Sequence, residues 1–205
     1  MQAGSKGYPM RRERSGFTLI ELLVVVSIIA MLMSILLPAF SKFRVASKRA
    51  VCMANLHSLS QMLQAYLNEN HDHWPYASHM ISVETDPNRR ALPDVLMGGI
   101  RGAREVFLCP ADEVTEEPNW VGDTYFEHEQ TSYEWDILGV FNGVKKGKGL
   151  LRLIKSANPG EVPLLNDWEC FHGGQGKAQS IVILYADLSV SADDSPVDPQ
   201  KWLAP

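Results

Sequence analysis

The sequence predicts an α+β fold: one long amino-terminal α-helix, part membrane segment and part amphipathic, laid on a small antiparallel β-sheet. Three observations carry this. Residues 17–37 form an apolar run whose one charge is Glu21. Beyond Pro38, Cys52, Leu56, Leu59, Leu63 and Tyr66 recur at alternating spacings of four and three residues, with polar Asn55, Ser58, Gln61 and Gln64 between them. That is the pattern of a helix with one buried stripe. The remainder holds short apolar segments divided by turn residues, the strongest being Ser180 to Ala186. A helix packed on an antiparallel sheet is one of the few stable layer arrangements.

The first element is fixed by length. The 21 residues from Phe17 to Leu37, at about 1.5 Å each, span a hydrocarbon core of roughly 30 Å. A carboxylate in such a span costs on the order of 2.5 to 3.5 kcal/mol, so Glu21 calls for a cation. A polar leader carrying Arg11, Arg12 and Arg14 ends at Gly16. Cutting after Gly16 creates a charged α-amino group on Phe17, one helical turn from Glu21 and within reach of it or of a neighbouring chain's Glu21. A generic anchor with an incidental acid is the alternative. A secretory signal fits less well, because its apolar region runs only about 7 to 15 residues and its small-residue cut site follows that region. Flanking charge leaves orientation open: Lys6, Arg11, Arg12 and Arg14 precede the span, and Lys42, Arg44, Lys48 and Arg49 follow it.

Pro38 is expected to kink the helix without ending it, and the helix fades between Asn68 and His73. The chain therefore divides into a leader (1–16), a membrane or filament-core helix (17–37), its amphipathic continuation (38–70) and a globular α+β body (71–205). Within the body a short helix is expected near Ala91 to Met97. Strands are expected at Val106–Leu108, Ser132–Trp135, Val162–Leu165 and Ser180–Ala186, the last turning through Asp187-Leu188-Ser189 into a partner near Val190.

The segment Gly16-Phe17-Thr18-Leu19-Ile20-Glu21-Leu22-Leu23-Val24-Val25 resembles the processing site of type IV prepilins and of the pseudopilins of type II secretion. The resemblance implies a pilin-like fold and a non-enzymatic filament subunit of a type IV pilus or a secretion pseudopilus. It implies that a membrane-bound prepilin peptidase cuts after Gly16 and methylates Phe17, and that Glu21 steers assembly of staggered subunits. It further implies a cytoplasmic leader, an inner-membrane helix and a periplasmic body, with other pilin or pseudopilin subunits and the inner-membrane assembly platform as partners. The alternative is a membrane-anchored periplasmic binding module for glycan, protein or DNA that is processed as a prepilin and forms no filament. A third class, an anchored metal-dependent enzyme, would rest on His71, His73 or Asp187.

The body also resembles a pseudopilin-like group common in planctomycetes and verrucomicrobia. The matching residues are Cys52-Met53-Ala54-Asn55-Leu56 with Gln61 and Tyr66, Trp74-Pro75, Phe107-Leu108-Cys109-Pro110-Ala111-Asp112, Ser132-Tyr133, His172 and Tyr185-Ala186-Asp187. It departs from that group at Leu188, where glycine is usual, and at Asp136, where asparagine is usual.

Composition bounds the rest. The 205 residues allow one ordinary domain beside the membrane segment. Net charge is −5, and without the leader's four basic residues and one acid it is −8, which disfavours broad nucleic-acid binding. Three cysteines permit one disulfide by any of three pairings. Cys52 with Cys109 is expected, stapling helix to sheet for about 2 to 4 kcal/mol; buried reduced cysteines remain the alternative. No cofactor is expected. Asp187, Asp193, Asp194 and Asp198 are weak calcium candidates that lack an EF-hand spacing and read better as a solvated acidic tail. His71-Asp72-His73 reads as a helix exit, and Gly143 to Gly149 as a turn, one residue short of a phosphate loop. No Gly-x-Ser-x-Gly element is present. The five tryptophans suit packing or interfaces.

Overall fold

The computed structural model describes residues 18–98, 104–114, 123–146, 158–173, 177–194, 197, 198 and 200. Gly16, Phe17, Trp120 and Trp202 lie outside the described residues. The chain forms two compact units, Met1–Lys42 and Phe43–Pro205. Helix α1, Leu19–Glu69, contributes to both. It runs through position 38 unbroken, so Pro38 does not end the helix, as expected.

In the first unit every described side chain from 19 to 37 is exposed. Leu19 is 88% and Leu37 70% accessible among the described residues. The two hydroxyls in the run turn inward on the helix: Ser27 Oγ donates to the Leu23 carbonyl and Ser34 Oγ to the Met31 carbonyl, both at 2.7 Å. A helix that is apolar all round, with its polar atoms satisfied locally, suits an apolar surrounding.

In the second unit α1 buries Cys52, Leu56, Leu59, Leu63 and Leu67 completely. The stripe closes on Leu67, whereas the expected Tyr66 is half-buried. The stripe drifts because four-residue steps suit 3.6 residues per turn as well as three-residue steps do. The sheet is an antiparallel meander, with β1 (Tyr133–Trp135), β2 (Pro163–Asp167), β3 (Ile181–Tyr185) and β4 (Val190–Asp193) in chain order. β2 and most of β3 are buried; β3 reads as a continuous apolar run, whereas β2 ends in the buried polar pair Asn166 and Asp167. The register pairs Glu134 with Asn166 and Leu184 with Val190. Trp74 and Phe141 meet edge to face at 5.6 Å in the core, with Trp135 and Phe107 also buried.

The short helix at Ala91 to Met97 is α2, Leu92–Leu96. The strand expected at Val106–Leu108 is instead a 3-10 turn, Arg104–Phe107. Its backbone groups find side-chain partners in place of a ladder: Asn55 Nδ2 donates to the Leu108 carbonyl at 2.8 Å, and the Cys109 N–H donates to Ser132 Oγ at 2.9 Å. Pro110 then removes the next donor. Phe107 is still fully buried, so apolarity was read correctly and pairing was not. A further helix, α3 (Tyr125–Glu129), begins with a capping box in which Thr124 and Glu127 satisfy each other's backbone N–H groups.

Candidate functional site

The amino-terminal site is built around the first turn of α1. Thr18 precedes the helix, and Glu21 Oε2 accepts its backbone N–H at 2.9 Å and its hydroxyl at 2.6 Å. The Glu21 N–H in turn donates to Thr18 Oγ1 at 3.3 Å. This reciprocal pair satisfies donors that the helix start leaves without partners. Both bonds to the carboxylate fall on Oε2, so the acid is held in place at the mouth of the apolar segment by its own chain. Sequence reasoning singled out Glu21 and missed Thr18; the Thr-x-x-Glu spacing was the signal that would have found it.

Behind this turn lies the helix stretch whose mean hydropathy reaches 2.8, long and apolar enough to cross a membrane. Residues 11–37 match the prokaryotic N-terminal methylation motif. The amino-terminal segment carries that motif and is similar to a type IV prepilin segment. Over 65 residues the chain is 37% identical to the type IV major pilin protein PilA of Myxococcus xanthus (strain DK1622), covering 32% of this chain and 30% of that pilin. The chain thus aligns with about a third of that relative's length. No solved structure matches it. The prepilin motif and the apolar helix together fit an inner-membrane anchor.

The body brings five of its singled-out residues, Cys52, Cys109, Asp112, Ser132 and His172, into one neighbourhood. Cys52 and Cys109 are joined by a disulfide, with 5.3 Å between their Cα atoms, which ties α1 to the segment after the 3-10 turn. The Ser132 hydroxyl accepts from Cys109 and donates to Asp112 Oδ2 at 2.6 Å. Asp112 also accepts the N–H groups of Tyr125 and Phe126, both at 3.0 Å, which anchors the start of α3. Burial pushes the Asp112 carboxyl up, and these bonds pull against that shift.

His172 Nε2 lies 3.6 Å from Cys109 Sγ and 3.5 Å from Asp167 Oδ2. The Asp167 and His172 side chains are fully shielded from solvent. Asp167 Oδ2 accepts the Val182 N–H at 2.8 Å, while Asp167 Oδ1 and His172 Nδ1 have no hydrogen-bond partner among the described residues. Each such group costs about 1 to 3 kcal/mol. Burial drives the Asp167 carboxyl upward, opposed by His172. His172 was noticed in the sequence, but Asp167 was not. Its only signal was an acid closing the otherwise buried strand Pro163–Asp167.

The departures from the pseudopilin-like group have local reasons. Asp136 adopts φ 52°, a left-handed conformation that Asp and Asn tolerate, and its two oxygens accept the N–H groups of Val140, Phe141 and Asn142. Leu188 sits at φ 71°, where glycine is unstrained, and compensates by packing its side chain against the core.

The calcium candidates do not converge. Asp187 sits in the β3–β4 turn, where its Oδ1 accepts the Ser189 N–H and hydroxyl, and a Cβ on Gly160 would stand 2.7 Å from its Oδ2. Asp193 and Asp194 lie at the other end of β4, about 10 Å away along the strand. Asp198 Oδ1 accepts the Gln200 N–H at 3.0 Å. His71 and Asp72 take left-handed conformations just after α1, where they turn the chain out of the helix. Lys145 pairs in a bridge with His73, so the loop at 143 closes on the helix exit. Cys170 is a half-buried free thiol.

Proposed function

We propose that this chain is a non-enzymatic pilin-type subunit whose α1 rests in the inner membrane with the body periplasmic, and then moves into the core of a filament. One observation carries the reading: α1 presents a fully uncovered apolar segment whose single acid is fixed at its first turn. Lipid covers such a surface in the membrane, and the equivalent helices of neighbouring subunits cover it in a filament. In this reading prepilin peptidase cuts after Gly16 and methylates Phe17. Glu21 of one subunit then neutralises the Phe17 amino group of the next, which sets their stagger. Thr18 supports this by orienting the carboxylate through Oε2. The partners are other subunits and the inner-membrane assembly platform, in a type IV pilus or a secretion pseudopilus.

Two measurements test it. Intact mass of the chain from its native membrane is expected to show an N-methylated Phe17 start; a chain beginning at Met1 overturns the processing step. Glu21→Gln keeps an acceptor for Thr18 and removes the charge, so it is expected to insert and be cleaved while filament incorporation falls at least about tenfold. Normal incorporation of that variant defeats the register role. A processed wild-type chain that stays monomeric points instead to an anchored binding module.

A further inference from the structure

The buried cluster behind the disulfide has the composition and spacing of a metal centre. Cys52, Cys109, Asp167 and His172 each offer a ligand atom, and these four atoms lie within 4.8 Å of one another. All four residues are at most 2% accessible. A tetrahedral zinc site, with bonds of about 2.0 to 2.3 Å to nitrogen, oxygen and sulfur, has ligand–ligand edges of roughly 3.3 to 3.8 Å. Two edges already have that length: His172 Nε2 to Asp167 Oδ2 at 3.5 Å and His172 Nε2 to Cys109 Sγ at 3.6 Å. The nitrogen–oxygen distance is long for a hydrogen bond, and both distances suit a shared cation. The sulfurs are joined in the disulfide, and reducing that bond frees them to move apart to the ligand spacing, while the other ligand pairs already lie within 4.8 Å.

We infer that Cys52, Cys109, Asp167 and His172 form a zinc site in the reduced chain, and that the Cys52–Cys109 disulfide is the oxidised form of the same site. The conversion balances. A dithiol delivers two electrons and two protons to the sulfur–sulfur bond and itself closes to a disulfide. The two thiols then release their protons to solvent as Zn2+ binds both sulfurs. In the other direction a disulfide oxidant takes two electrons and the ion leaves. Two thiolates and one carboxylate on a divalent ion leave one net negative charge, as in sites of three cysteines and one histidine.

Two further features fit an ion better than a disulfide alone. Asp167 and His172 are fully shielded from solvent, yet Asp167 Oδ1 and His172 Nδ1 have no hydrogen-bond partner among the described residues, so the disulfide form leaves the pair incompletely satisfied. The Val182 N–H, donating to Asp167 Oδ2 at 2.8 Å, aims the carboxylate at the sulfurs in the way that supporting hydrogen bonds orient metal ligands. Either form ties α1 to the segment after the 3-10 turn, so zinc would hold the body together before oxidation does. The site is independent of the proposed filament role.

The test uses the full chain in detergent, reduced by a phosphine, freed of reductant under nitrogen and titrated with Co2+ and then Zn2+. One equivalent of cobalt is expected to give a thiolate-to-metal absorption and the strong visible bands of a tetrahedral ion. Zinc should erase both, and the oxidised chain should show neither. His172→Ala and Asp167→Asn should each weaken binding at least about tenfold, while Cys170→Ser should leave it unchanged. If those variants do not fold, the wild type still decides: zinc should slow alkylation of Cys52 and Cys109 at least about tenfold and spare the rate at Cys170. A reduced chain that gives only the weak spectrum of octahedral cobalt, folded variants that bind as the wild type does, or thiols that zinc leaves unprotected would each overturn the assignment.

Discussion

The two halves of α1 share one backbone conformation and solve opposite problems. From 19 to 37 every described side chain is exposed, and the apolar residues run all round the helix. From Cys52 to Leu67 one stripe is buried completely, flanked by half-buried Met53, Met62 and Tyr66, and the outer face carries Ser58, Gln61 and Gln64. The comparison teaches that helix formation here is cheap and that side-chain distribution decides what the helix packs on. An all-round apolar surface has no preferred direction and takes lipid or several neighbours; a stripe selects one partner, the sheet of its own body.

Breaking the second half should cost most. Replacing Cys52 and Cys109 together by Ala removes a closure spanning a sequence separation of 57 residues, worth about 4 kcal/mol in chain-entropy terms. Urea unfolding followed by tryptophan emission is the readout, since Trp74 and Trp135 are both buried in the body. A loss under about 1 kcal/mol would mean that the staple adds little beyond helix packing. Leu63→Ala comes next, at about 2 to 5 kcal/mol on the same transition. Its counterpart Leu32→Ala, in the first half, should move that transition by no more than about 0.5 kcal/mol. Equal shifts from the two leucines would erase the distinction between the halves.

The smallest effect concerns pH. His79 Nε2 lies 3.1 Å from Glu134 and its Nδ1 lies 2.8 Å from the Trp135 carbonyl, so two acceptors favour the doubly protonated ring. The Glu134 bond holds its pKa above the ordinary 6.5. A raised folded value means that the contribution is fully present below the ordinary pKa and is lost as pH rises through the folded one. With the ring 39% accessible, the wild type should lose only about 0.2 to 1 kcal/mol more than His79→Gln between about pH 6 and pH 8. Parallel pH profiles for the two proteins would remove the pair from consideration. The first half, with no described histidine, should show no such slope.

Legibility in the sequence followed the strength of apolar patterning. The inward stripe of α1 was readable because it repeats a side-chain period, and the membrane-length run and β3 because each is continuously apolar over a telling length. Residues 106–108 were misread because their apolarity marks burial alone; Asn55 and Ser132 supply the bonds that a neighbouring strand was expected to give. α3 has five residues, too few for a period, and was visible only through Thr124 and Glu127. At the amino-terminal site the same kind of spacing, Thr18 to Glu21, passed unread beside the more conspicuous acid. The cluster around His172 was out of reach because Asp167 and Cys109 are 58 positions apart and meet only once the sheet exists.

The strand order carries a consequence for how the body comes into being. Because the sheet order repeats the chain order, each strand pairs with the one made just before it, and β3 and β4 need only the Ala186–Ser189 turn to meet. α1, the surface on which they condense, is synthesised before any of them. A growing chain therefore never has to wait for a distant later segment to complete an earlier strand, which keeps unpaired edges short-lived and limits the time in which they can capture another molecule.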